Sequence, residues 1–309
     1  MSKTAFIFPG QGSQAVGMLA DLADKYPIIE HTFAEASEAL GYDLWQLVQK
    51  DEEGKLNQTE FTQPALLTAS VALWRLWQQE NGSEPAFLAG HSLGEYSALV
   101  AAGVIELSDA VKLVEARGQF MQLAVPEGTG KMAAIIGLDD EKVRDACAVA
   151  AQDEVVEAVN YNSPGQVVIA GSAAAVERAM EACKAAGAKR ALPLPVSVPS
   201  HCALMRPAAD KLAHMLESIN INTPVIPVIN NVDVAAESDP KAIKDALIRQ
   251  LYNPVRWTET VQKLKTESAL NLFECGPGNV LCGLAKRIDR ELNASPLGTL
   301  DKFEAALSE

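Results

Sequence analysis

The chain has no run of eighteen or more apolar residues, so nothing in it reads as a membrane-spanning helix. Its first apolar stretch, 4–8, lacks the basic flank and the length of a secretory signal, and a cytoplasmic protein with no membrane partner is expected. Basic charge is scarce: 26 Lys and Arg stand against 40 Asp and Glu, a formal charge of −14, which argues against nucleic acid as a partner. An acidic partner would need a local basic patch. The five cysteines, Cys147, Cys183, Cys202, Cys275 and Cys282, include no C-x-x-C pair, so neither a disulfide framework nor a metal site is indicated. Reduced, buried thiols are expected. The 309 residues carry no internal repeat or low-complexity tract, and their length buries a large core in one large domain or two unequal ones.

What is present is organised around Phe87-Leu88-Ala89-Gly90-His91-Ser92-Leu93-Gly94-Glu95-Tyr96. An apolar run ends in Gly90, Ser92 stands between two glycines, and 93–101 has the Ala/Leu-rich composition of a buried helix. This is G-x-S-x-G in strand, turn, helix context, a turn so tight that side chains on either side of the serine would meet the backbone. The hydroxyl is thereby lifted clear of the sheet, and the helix start aims free N–H groups at the same point. The competing reading is a glycine-bounded turn whose serine only caps the helix.

Residues 4–8 read as a first strand feeding the loop Pro9-Gly10-Gln11-Gly12-Ser13-Gln14. Gly10, Gly12 and Ala15 fit a relaxed dinucleotide pattern, but 28–40 has helical spacing where a second strand ending in an acid is required. Pro64 suits the first turn of a helix whose Leu66, Leu67, Val71, Leu73, Trp74 and Trp77 belong to the core. Ser108 reads as the N-cap of a helix over 109–123, on which Val114, Arg117 and Met121 share one face. A guanidinium on an apolar face needs a buried carboxylate or a ligand anion.

From Pro126 the order strand 132–137, helix 139–152, strands 155–161 and 166–171, helix 172–186 and strand 189–194 is the β-α-β-β-α-β of a ferredoxin-like unit. Asn162-Ser163-Pro164-Gly165 supplies its central hairpin turn. The expected organisation is a large α/β domain of 1–125 and 199–309 interrupted by a small domain at 126–198. Beyond it follow a helix at 203–216, a strand at 225–232, helices at 240–251 and 255–265, a strand at 270–274 and a helix at 280–290. This alternation predicts an α/β-hydrolase-like, mostly parallel sheet covered on both faces.

A serine that attacks a carbonyl needs a base, and there are four histidines. His31 and His214 lie in helical patterns, and His91, next to Ser92, is expected to point away and shape the turn. His201 falls where the small domain returns to the large one, where a cleft would lie, and is the candidate base. The acid of a triad is missing: Asp109, Asp139, Asp140, Asp145 and Asp153 lie between Ser92 and His201, none at a strand end. A Ser-His dyad oriented by a carbonyl or an amide is expected. Cys202, without an elbow of its own, reads as a core thiol.

Phe8-Pro9-Gly10-Gln11-Gly12-Ser13-Gln14, Thr62-Gln63-Pro64-Ala65, Gly90-His91-Ser92-Leu93-Gly94-Glu95-Tyr96, Arg117-Gly118-Gln119-Phe120-Met121, Asn162-Ser163-Pro164-Gly165-Gln166, Val198-Pro199-Ser200-His201 and Gly276-Pro277-Gly278 stand in one order along the chain. In order and spacing the set resembles the malonyl-CoA:acyl-carrier-protein transacylases, in particular the free-standing bacterial enzymes of fatty acid synthesis. The resemblance implies malonyl transfer from coenzyme A to the phosphopantetheine thiol of acyl carrier protein through a malonyl-Ser92 ester. It implies His201 as base and then acid, the Gln250 carbonyl as its orienting group, and backbone N–H groups of Gln11 and Leu93 as the oxyanion hole. Arg117 would hold the malonate carboxylate, Val198 and Ser200 would line that part of the pocket, and no cofactor beyond the two thiol carriers is implied. A monomer is expected, with Lys189-Arg190 and Lys286-Arg287 with Arg290 as candidate docking patches. An α/β-hydrolase esterase or thioesterase is the alternative that shares the elbow.

Overall fold

The computed structural model describes residues 3–196 and 198–308; of the expected domain ranges, Met1, Ser2, Ser197 and Glu309 lie outside the described residues. Nine strands are found among them: β1 Lys3–Phe8, β2 Phe87–Gly90, β3 Gly130–Ile136, β4 Val156–Ser163, β5 Gln166–Ser172, β6 Arg190–Pro193, β7 Val228–Ile229, β8 Ala269–Glu274 and β9 Asn293–Pro296. They form two sheets, one ordered β7-β2-β1-β8-β9 and one ordered β4-β5-β3-β6.

Every pairing in the first sheet is parallel. Parallel strands are joined by crossovers that lay helices on both faces, so both faces must be apolar. In β1 this is visible residue by residue. Phe6 and Phe8 point into the larger core with Leu66, Trp74, Trp77 and Phe273, while Ala5 and Ile7 face a second core built by Trp257, Val261, Leu272 and Leu284. Phe6 meets the rings of Trp74 and Trp77 edge-on at 5.3 and 5.2 Å, the arrangement favoured by ring quadrupoles.

The second sheet is antiparallel and carries helices Asp140–Ala151 and Ala173–Ala185 on one face, in the β-α-β-β-α-β order of a ferredoxin-like unit. Its hairpin turn is shorter than the expected Asn162 to Gly165, because Asn162 and Ser163 remain in β4. The sheet is tied to the rest of the chain at Val255, whose N–H donates to Val159 and whose carbonyl accepts from Tyr161, at 2.8 and 3.0 Å. Its other face packs Met132, Val159, Val168 and Ala170 on Cys202, a buried thiol bonded to the Pro199 carbonyl.

Some expected elements shift. The helix expected to open near Pro64 runs Thr59–Gln79, so Pro64 sits inside it; Gly118 of the next helix packs on the Thr59 and Glu60 backbone, and this tertiary contact outweighs the missing N–H. That next helix is Leu107–Ala124 with Glu106, not Ser108, at its cap position. The strand expected at 225–232 shrinks to Val228–Ile229: Pro227 cannot donate to a ladder, and beyond Ile229 the Asn230 and Asn231 N–H groups turn to the Ala235 carbonyl and Glu95. The segment 203–216 opens as a short 3-10 turn, Ala203–Met205, before helix Arg206–Glu217. A final strand, β9, and helix Leu300–Leu307 were not expected. No helix among the described residues is long and apolar enough to cross a membrane.

Two glycines separate steric from conformational demands. A Cβ on Gly90 would lie 1.9 Å from the Gly94 carbonyl carbon, whereas Gly103 has φ +73 with open space around it. Gly90→Ala is expected to cost ~3 kcal/mol or more through overpacking, and Gly103→Ala only ~1 kcal/mol through its backbone. Urea unfolding of the two variants measures the difference; equal losses would contradict the steric account.

Candidate active site

β2 ends at Gly90 and helix Leu93–Ala101 begins at Leu93, so His91 and Ser92 make the whole turn. A Cβ on Gly94 would stand 2.0 Å from the Phe8 carbonyl oxygen, so both glycines of the elbow are sterically required. Ser92 has φ 52 and ψ −110, a region costly for a residue with a side chain, by ~1–3 kcal/mol. Neighbours hold it there. The Ser92 N–H donates to Asn231 Oδ1 at 2.8 Å, and Asn231 Nδ2 donates to the Gly90 carbonyl at 2.6 Å. His91 turns away, its Nε2 2.8 Å from Asn162 Oδ1 of β4 and its ring 5.5 Å from that of Trp257.

His201 approaches from 109 residues further on, also at positive φ, 65°. Its Nε2 is 2.7 Å from Ser92 Oγ, and its Nδ1 is 2.7 Å from the Gln250 carbonyl oxygen. A carbonyl only accepts, so Nδ1 carries the proton and Nε2 presents its lone pair to the serine hydroxyl. Burial, then the nearby Arg117 charge, pull the His201 pKa down to about 3, so the ring is neutral and able to accept a proton at neutral pH.

Arg117 is 1% exposed. Its Nη1 donates to Gln63 Oε1 at 2.8 Å, and its Nη2 to Gln250 Oε1 at 3.0 Å and to Ser92 Oγ at 3.3 Å. The guanidinium lies 5.3 Å from the Tyr96 ring centre. Among the described residues no carboxylate pairs with it, so of the two partners a buried cation calls for, the protein itself supplies neither. Amide oxygens solvate the charge without neutralising it. Gly118 is what admits this geometry: a Cβ there would lie 2.7 Å from Glu60 Cα, so the two helices close up and bring Gln63 to Arg117.

Ser92, His201, Arg117 and Gln250 are thus joined by direct hydrogen bonds. Leu93 is the first residue of the elbow helix, where the N–H has no preceding helical carbonyl. Gln11 stands beside the elbow, because Gly10 packs against the His91 carbonyl, where a Cβ would come within 2.5 Å; its Oε1 accepts from Thr59, which in turn bonds Gln63. Val198 is buried beside this region and Ser200 is half-buried. Sequence reasoning missed the parts played by Gln63, Glu95, Asn231 and the Gln250 side chain. Glu95 alone had a signal, an acid within an Ala/Leu-rich helix.

The depressed pKa of His201 has a sign for stability. The unfolded histidine, near its ordinary 6.5, takes up a proton that the folded one refuses until about 3, so stability present above pH 6.5 is lost as pH falls. Relative to His201→Ala, the unaltered chain is expected to lose ~2 kcal/mol of unfolding free energy between pH 7 and 5. Denaturant titrations of both at the two pH values check this, and parallel losses would contradict it.

A family model described as an acyl transferase domain matches residues 5–281. A curated relative, malonyl CoA-acyl carrier protein transacylase of Escherichia coli, is 66% identical over 307 residues, covering 99% of each chain. Among solved structures, an acyl carrier protein S-malonyltransferase from Vibrio cholerae superposes with a TM-score of 0.97 at 65% identity, over 98% of this chain and 99% of that one. A malonyl-transacylase in complex with its type II PKS acyl-carrier protein gives 0.98 at 61% identity, over 99% of both. The chain belongs to the acyl transferase family and, within it, to the malonyl CoA-acyl carrier protein transacylases.

Proposed function

We propose that Ser92 carries the malonyl group between coenzyme A and acyl carrier protein as an ester, with His201 moving the proton in both directions. The observation that carries this reading is the pair of 2.7 Å contacts at His201, one to Ser92 Oγ and one to the Gln250 carbonyl, beside a buried arginine without an acid. The Ser92 hydroxyl gives its proton to His201 Nε2 as Oγ attacks the thioester carbonyl. The oxyanion that forms takes hydrogen bonds from the backbone N–H groups of Leu93 and Gln11. The C–S bond then breaks, and the imidazolium returns the proton to the departing coenzyme A sulfur. The phosphopantetheine thiol of the carrier repeats the sequence in reverse: its proton goes to His201, its sulfur takes the malonyl group, and Ser92 is regenerated. Throughout, the free carboxylate of malonyl sits on Arg117, whose fork matches it.

Neutral imidazole, fixed tautomer and a cation left open for an anion together support acyl transfer of a dicarboxylic unit. The chain works as a monomer in the cytoplasm and needs no cofactor beyond the two thiol carriers. Residues 126–198 act as an inserted small domain within 1–125 and 199–309. The acidic carrier docks on exposed cations at their seam: Lys189 packs over Gly137, whose N–H bonds Gly165 at the end of the β4–β5 hairpin, and Arg287 bonds Gln166 there at 2.6 Å. Arg190, Lys286 and Arg290 extend the patch.

Incubation with malonyl-CoA followed by an intact mass is expected to show one malonyl increment that disappears in Ser92→Ala. Free malonate accumulating without an increment would favour an esterase or thioesterase. Arg117→Ala is expected to lower malonyl transfer about 100-fold, the worth of a buried charge-assisted pair, while acetyl transfer falls far less. Comparing kcat/KM for malonyl-CoA and acetyl-CoA reads this directly; an unchanged malonyl preference would remove the carboxylate role.

A further inference from the structure

Glu95 is 2% exposed, stands three residues beyond Ser92, and has no part in the transfer steps. Its Oε2 accepts two hydrogen bonds, from the Asn231 N–H at 2.9 Å and from Gln250 Nε2 at 3.0 Å. Gln250 Nε2 also donates to the Ser92 carbonyl at 3.1 Å, so the amide nitrogen has two acceptors and the amide oxygen is left facing Arg117. Turned over, the amide would set its oxygen against both acceptors and its NH2 against the guanidinium, and all three of these hydrogen bonds would be lost. Burial at this position without such donors would be costly for a carboxyl group.

We propose that Glu95 is a positioning residue for acyl selectivity: it fixes the Gln250 side chain so that its oxygen anchors Arg117 in place for the substrate carboxylate. The inference rests on the reading of Arg117 as the malonate-binding group. Glu95 makes no hydrogen bond to Arg117 itself; the shortest hydrogen-bonded link between them runs through the Gln250 side chain. A direct carboxylate on the guanidinium would compete with malonate, whereas a carboxylate one amide away orders the cation and leaves its fork open. The same residue also grips Asn231, which holds the Ser92 turn, so a general loss of activity would not distinguish positioning from structure. The malonyl to acetyl ratio does, because acetyl has no carboxylate to place.

The test measures kcat/KM for acylation of Ser92 by malonyl-CoA and by acetyl-CoA in the unaltered chain, Glu95→Ala, Glu95→Asp and Glu95→Gln, with circular dichroism and thermal unfolding on each. Glu95→Ala is expected to contract the malonyl to acetyl ratio about five-fold or more, through the malonyl rate. Glu95→Gln, whose amide oxygen can accept from both donors, is expected to restore the ratio to within about two-fold. Glu95→Asp, one methylene too short to reach both donors, should contract it as well. If the alanine variant does not fold, the aspartate variant decides by the same ratio. Equal losses with both thioesters, or a ratio unchanged in a folded variant, would overturn the proposal. Absence of malonyl acylation in the unaltered chain would overturn the site reading itself and this inference with it.

Discussion

The structure around the elbow depends on one residue, Gln250, which makes four different hydrogen bonds from the end of its helix. Its main-chain carbonyl accepts from His201 Nδ1, its Oε1 accepts from Arg117, and its Nε2 donates to the Ser92 carbonyl and to Glu95. The first contact fixes which nitrogen of His201 is basic, and the second fixes where the cation stands. The proposed base and the proposed binding group are therefore both held from a single residue, and any shift of helix Pro240–Gln250 would move both together. That coupling is geometric. A triad aspartate would orient the histidine alone, and would add a negative charge beside the site proposed to receive malonate.

The electrostatics follow the same economy of charge. Arg117 and Glu95 both lie buried near Ser92 without a hydrogen bond between them, and burial pushes the Glu95 pKa up to about 7. Amides stand between them. In a low-dielectric interior a direct ion pair would satisfy both groups and close the site, whereas amide dipoles solvate each and leave the cation's remaining valence available. His201 contributes no charge, because burial and the Arg117 field keep it neutral. The one net positive group is then the one whose proposed partner arrives with the substrate.

The strain at Ser92, at positive φ, is sustained by the parallel sheet beneath, while His201, also at positive φ, is held by its N–H bond to the Leu251 carbonyl. β1 and β2 run side by side, so their C-terminal ends deliver the Gly10–Gln11 loop and the elbow to the same edge. Packing then leaves no room for side chains at Gly10, Gly90 or Gly94. The ferredoxin-like unit adds a second wall: His91 bonds Asn162, and the isolated bridge at Val255 ties β4 in place just beyond Gln250.

Much of this was legible in the chain itself. Local composition and turn residues placed the elbow helix at 93–101 and the four strands and two helices of the small unit within a few residues, because apolar runs and glycine turns are local properties. The absence of a suitable aspartate already pointed to a dyad. The helix starts at Thr59 and Leu107 lie five and two residues ahead of those read from Pro64 and from a Ser108 cap, and the strand expected at 225–232 was too long because Pro227 was not weighed as a missing donor. By itself, then, the sequence determined the α/β class, the family and the identities of Ser92 and His201 as a pair, since these rest on local pattern and on motif order. Only the tertiary structure decided how Gln63, Glu95, Asn231 and the Gln250 side chain meet, because hydrogen bonds between residues 54 to 158 positions apart leave no trace in local spacing.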